Sequence, residues 1–245
     1  MRAMIARLLQ LSAVAAVALS PVAASADGTI EGTVHFAGPV PPPLPRLISK
    51  DQNVCGHGAI DEAHVVLGKA RGLRNVVVSV KDAPFAGSPP PVTGASLDQR
   101  ACRYVPHVQA LTVGTPLSVM NNDAILHNVH GNEAPESGPS LTVFNVAMPI
   151  KGQKLPVPMR KPGLVRLQCD AGHTWMNAWI YVFDHPYYAV TDDNGAFVIA
   201  GVPAGEHVVE LWHEPADGQG PGTRMTAKVK VVDGKKTRLD LMFRL

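Results

Sequence analysis

Two short segments carry side chains whose types and spacing suit joint chemistry. One is Cys169-x-x-x-His173-x-x-Met176, and the other is Asn121-Asn122-Asp123-Ala-Ile-Leu-His127-Asn128-Val129-His130. Two imidazoles and a thiolate in a trigonal plane, with a thioether at long axial distance, make the ligand set of a mononuclear blue copper site. Thiolate and imidazole suit both Cu(I) and Cu(II), so a single ion can cycle with little ligand rearrangement, as electron transfer requires. Cys169 ends an expected strand, so the following loop must turn round the metal and present His173 from its middle. Gly172 gives that loop its backbone freedom. His130 competes with His127, but residues an odd number apart on a strand face opposite sides, so only one can point at a metal. Zn(II) also accepts one Cys and two His with water as fourth ligand, and the thioether argues against it. Met176 taken alone also suits a plain core position.

Three cysteines cannot all pair within one chain. Cys55 and Cys102 sit in ordinary polar surroundings, whereas Cys169 closes a strand, so the expected disulfide is Cys55–Cys102 with Cys169 kept for chemistry. Pairing of Cys169 with one of the others is the alternative. Disulfides suit an exported chain, and residues 1–26 read as an export signal. Arg2 and Arg7 precede a short apolar run over residues 8–19, followed by Ala24-Ser25-Ala26, the small-x-small cleavage pattern. That run is well short of a bilayer span, and no later stretch is long and apolar enough for one. Cleavage after Ala26 removes both arginines and takes the formal charge from +2 to zero. The expected product is periplasmic or secreted, with no electrostatic case for nucleic acid.

The elements that must position these side chains read as strands. Gly and Pro number 22 each, more than long helices tolerate, and no segment sustains a 3.6-residue apolar period. Period-2 or β-branched runs fall at 29–36, 73–80, 108–113, 117–120, 141–146, 163–168 and 178–183. Further runs fall at 187–191, 196–199, 206–212, 227–232 and 237–243, with turns at Asp193-Asn194-Gly195 and Asp233-Gly234. Proline-rich stretches at 39–45 and 86–94 read as a bend and a linker. The expected class is all-β, built from sandwiches.

The segment Asn121-x-Asp123-x-x-x-His127-Asn128-Val129, with the strand pair over 108–119 before it, resembles the cupredoxins (azurin, plastocyanin, amicyanin) across about 101–183. The resemblance implies a Greek-key β-sandwich with one copper ion held by His127, Cys169, His173 and Met176. Asn128 would tie the two ligand segments together by hydrogen bonds. Three residues between Cys and His depart from the two or four that are commoner in mononuclear members. A binuclear copper-A loop would need a second Cys where Val165 stands. The stretch Thr191-Asp-Asp-Asn-Gly195-Ala-Phe197-Val-Ile199, followed by Pro203-Ala-Gly205, resembles the carboxypeptidase-regulatory-like (transthyretin-related) β-sandwich. That family's opening pattern appears far upstream, at Gly28-Thr-Ile30-Glu-Gly32-Thr-Val34.

The expected organisation is a signal at 1–26, an N-terminal β segment at 27–95 pairing with the C-terminal sandwich, a copper unit at 96–183 and the sandwich remainder at 184–245. Asp192, Asp193 and Asn194 are too few oxygens for Ca²⁺ and read as a turn. Trp175 and Trp179 read as cover for the site or as core. His107 and His213 read as surface or packing residues, and His35, His57, His64, His185 and His207 show no partner pattern. The implied role is an electron carrier, and not an enzyme, exchanging electrons with a redox protein such as a c-type cytochrome or a dehydrogenase. A copper-delivery protein or a copper-dependent oxidoreductase would use the same ligands, the latter with a second, His-rich centre.

Overall fold

A computed structural model describes residues 27–218 and 220–245, so the expected export signal lies outside the described residues. The regular structure is nearly all strand, and the only helical turns among the described residues are the short helix Gln52–Cys55 and a 3-10 turn at Lys69–Arg71. None of these helices is long and apolar enough to cross a membrane.

Two sheets form the unit that carries the chemistry. One runs in the order Thr142–Met148, His127–Glu133, Gly163–Gln168, Asn177–Phe183, Val108–Thr112. The other runs Lys154–Pro158, Pro116–Asn121, Ser96–Arg100, Arg103–Val105. Their facing apolar residues, among them Leu97, Leu117, Val119, Val129, Met148 and Leu167, fill one core. Removing this surface from water drives the sheets together. Register then gathers the ligand segments at one end of the sandwich. His127 opens its strand opposite Met148, while Gln168 pairs with both His130 and Asn177, so Cys169 turns off the sheet edge beside them.

The second sandwich pairs Gly28–Phe36 antiparallel with Ala196–Val202 and parallel with Lys236–Arg238 and Leu241–Phe243. Its other sheet runs Tyr188–Val190, Val77–Val80, Gly205–His213, Thr223–Val231. Ile30, Val34, Val78, Phe197, Ile199 and Leu211 lie in its core. Gly32 is required by close approach, because a Cβ there would sit 1.9 Å from the carbonyl oxygen of Leu239. The segment 27–95 serves both units. Gly28–Phe36 and Val77–Val80 belong to this sandwich, whereas the hairpin Leu44–Leu47 with Ala59–Glu62 sends Ile48 and Ile60 into the other core. A third apolar cluster, including Val77, Val108, Trp179, Phe183 and Trp212, joins the two units.

Candidate metal centre

His127, Cys169 and His173 converge, with their ligand atoms all within 4.8 Å of one another. His127 Nδ1 lies 3.2 Å from His173 Nδ1, and the Cys169 sulfur lies 3.5 Å from His173 Nδ1. Both imidazoles are fully buried, and Cys169 retains 6 % exposure. Met176 is buried in the same core and its N–H donates to the His173 carbonyl at 2.9 Å, which closes the loop. Gly172 adopts φ +95°, the left-handed region that the turn into His173 demands.

Each imidazole is gripped from outside. His127 Nε2 lies 2.9 Å from the Asp123 carboxylate, and His173 Nε2 lies 2.9 Å from that of Asp51. Carboxylates accept, so the outer nitrogens carry the protons and both inner Nδ1 atoms turn lone pairs toward each other and toward sulfur. Facing lone pairs at 3.2 Å repel unless a cation lies among them. The donor set therefore fits a soft-to-borderline metal ion and gives a neutral buried core no comparable stabilisation. Burial pulls the His173 pKa below its ordinary value, which further favours the neutral, ligating form.

Asn128 bridges the two ligand segments. Its side-chain oxygen Oδ1 accepts the Asp170 N–H at 3.1 Å, and its side-chain amide donates to Asn145 at 2.6 Å. The Cys55–Cys102 disulfide is present and Cys169 is free. Asp123 also accepts the N–H groups of Ala101 and Cys102 at 2.9 and 2.8 Å. The disulfide thus fastens the Asp51 segment to the turn that holds Asp123. Burial raises the Tyr104 hydroxyl well above its usual range, assisted by the adjacent Cys169 sulfur, and that hydroxyl donates to the Asn128 carbonyl.

His130 stays outside the cluster, with Nδ1 2.7 Å from Asp170 and Nε2 2.9 Å from Thr142 Oγ1. Trp175 packs edge-on to His173 with ring centroids 5.3 Å apart, whereas Trp179 meets Trp212 in the cluster joining the two units. A cavity of about 370 Å³ lies against Cys169 and Met176, with Arg46, Glu62 and Arg166 among its walls. Four residues escaped the sequence reading. Asp51 lies 122 residues from His173 with no local pattern to mark it. His64 and His107, read as partnerless and as packing, meet at Glu214.

No family model and no curated relative matches the chain. Solved structures similar to part of it include a purple cupredoxin from Nitrosopumilus maritimus. That likeness has 21% identity and a TM-score of 0.31, covering 36% of this chain and 99% of that one. A reduced Cu(I) amicyanin variant is 22% identical with a TM-score of 0.30, over 43% of this chain and 98% of its own. A Cu-containing nitrite reductase from Thermus scotoductus SA-01 is 20% identical with a TM-score of 0.29, over 43% of this chain and 25% of that one. At these scores they are likenesses only, and no chemistry of this chain follows from them.

Proposed function

We propose that the protein is an exported electron carrier holding one copper ion between His127 Nδ1, Cys169 Sγ and His173 Nδ1, with the Met176 thioether as a weak axial donor. The observation that carries this reading is the pair of inward-facing, fully buried imidazoles, each locked at its outer nitrogen by a carboxylate. A bound copper supplies a one-electron couple between Cu(I) and Cu(II). The protein's part is to hold the donors so that neither state demands rearrangement. Asp51 and Asp123 fix ring orientation and tautomer, Asn128 keeps the Cys169 loop against the His127 strand, and Trp175 helps exclude water from His173.

Copper delivery needs ligands that open to an acceptor. Complete burial of both histidines favours retention over delivery. Cys169, the more exposed of the donors, faces the cavity shared with Met176, which makes that side the favoured approach for a redox partner such as a c-type cytochrome or a dehydrogenase. The copper-loaded protein is expected to show a reversible one-electron wave and to reduce a c-type cytochrome without losing copper. Transfer of the copper itself to a chelating acceptor, with no electron exchange, would overturn the carrier role in favour of delivery.

A further inference from the structure

Away from the copper ligands, three side chains from three distant segments meet at the seam between the two sandwiches. Glu214 follows the strand Gly205–His213, His107 precedes the strand Val108–Thr112, and His64 lies just beyond the hairpin strand Ala59–Glu62. His107 Nε2 lies 2.7 Å from Glu214 Oε1, and His64 Nδ1 lies 2.9 Å from Glu214 Oε2. The three donor atoms fall within 4.8 Å of one another. A tetrahedral zinc with bonds near 2.0–2.1 Å sets its donors about 3.3 Å apart, so the three donors need to close by at most about 1.5 Å to coordinate one.

We propose that His64, His107 and Glu214 form a second metal site, taking a divalent ion of the zinc class with water as fourth ligand. Two imidazoles and one carboxylate are a borderline N₂O set, suited to zinc and lacking the sulfur that selects Cu(I). The outer geometry is a looser version of that at the first centre. His64 turns Nδ1 inward while its other, buried nitrogen lies 3.5 Å from Glu62, an ion-pair contact and not a hydrogen bond, and Glu62 is itself held by Arg46 at 3.0 Å and by Asn177. A carboxylate behind a histidine is the usual way to fix the tautomer and orientation of a metal ligand. Trp179 Nε1 donates to Glu214 at 3.2 Å and steadies the carboxylate. Glu214 is fully buried, and His64 nearly so. Burial would push the Glu214 carboxyl up and both imidazoles down, but their mutual contact outweighs it, holding the carboxyl at about 2 and raising His64 to about 9 and His107 above its ordinary value, so the empty cluster is an ion-paired group whose imidazole protons a metal ion must displace. On binding, the ion replaces the protons shared between the rings and the carboxylate, which leave to solvent. Its position would fasten the second sandwich to the copper unit, and a cavity of about 220 Å³ lined by both His107 and Met176 adjoins it.

The test uses copper-loaded protein, so that the first site is filled, incubated with excess Zn(II) and desalted, with both metals counted. The expected result is one zinc per chain beside the copper. His107→Ala, whose ring is 30 % exposed and so tolerates removal, should cut zinc to under about a tenth of wild type. Glu214→Gln should do the same, and in both the copper count stays unchanged. A Co(II) replacement should give ligand-field bands without a thiolate charge-transfer band. Wild type retaining no zinc, or His107→Ala retaining as much, would overturn the proposal and leave the cluster an imidazole–carboxylate lock. Failure of the copper reading looks different, because zinc would then remain sensitive to His107→Ala while copper is absent.

Discussion

The carboxylates behind the two inward-facing imidazoles are not equivalent. Asp51 is partly exposed and grips His173, with no other side-chain hydrogen bond among the described residues, whereas Asp123 also accepts two backbone N–H groups in the turn at Ala101 and Cys102. Asp51→Asn is therefore expected to weaken copper retention about 10–100-fold with little loss of folding stability, read by chelator competition and urea unfolding. Asp123→Asn should lose retention and also cost roughly 1–3 kcal/mol of stability, because buried donors lose their ionised acceptor. Met176→Leu should keep copper bound and raise the reduction potential in voltammetry, since loss of a weak axial donor chiefly disfavours Cu(II). The residues legible in the sequence are those with close spacing, as in Cys169-x-x-x-His173. Asp51, His64, His107 and Glu214 acquire meaning only when distant strands bring them together, and no local pattern marks them.

Among the elements, the segment carrying Asp51 is held over the centre by the Cys55–Cys102 disulfide and by Lys50, which donates to the Ala171 carbonyl at 2.6 Å. Replacing both cysteines by Ala is expected to cost roughly 2–4 kcal/mol in denaturant unfolding, because the closed loop no longer constrains the unfolded chain. It should also speed copper release to a chelator, since Asp51 loses its anchor. Unchanged release kinetics would separate the disulfide from the metal centre. Most strands were legible from alternation, and the expected 163–168 run coincides with the strand Gly163–Gln168. Lys154–Pro158 and Leu44–Leu47 were not, because Pro156 and Pro158 interrupt any alternation in the first and Pro45 falls in the stretch read as a bend. Both are edge strands, where a missing N–H need break no ladder bond. Ser96–Arg100 and Arg103–Val105 were hidden by their charged residues, whose alternation shows only once Leu97 and Tyr104 are seen in the core.

Across the whole molecule, the two sandwiches meet through Trp179 and Trp212, whose rings pack edge to face with centroids 5.3 Å apart. Trp212 is 1 % exposed. Trp212→Ala is expected to cost roughly 3–5 kcal/mol and to split thermal unfolding into two transitions by calorimetry, with the copper unit's signal persisting through one of them. A single cooperative transition would show that the units are coupled elsewhere. Alternation marks Gly28–Phe36 and Ala196–Val202 each as a strand, but their pairing was implied only by the resemblance that links the Gly28–Val34 pattern to the Thr191–Ile199 stretch. The seam was not, because Val77, Val108 and Trp212 look in sequence like core residues of their own strands.

The central claim is thiolate-and-imidazole ligation of copper by Cys169, His127 and His173. The visible spectrum of the Cu(II)-loaded protein tests it most directly, taken beside Cys169→Ser, His127→Ala and His130→Ala. An intense thiolate-to-copper band is expected in wild type, abolished in Cys169→Ser, weakened or lost in His127→Ala and nearly unchanged in His130→Ala. Cu(II) bound without that band, or a band lost in His130→Ala and kept in His127→Ala, would contradict the account.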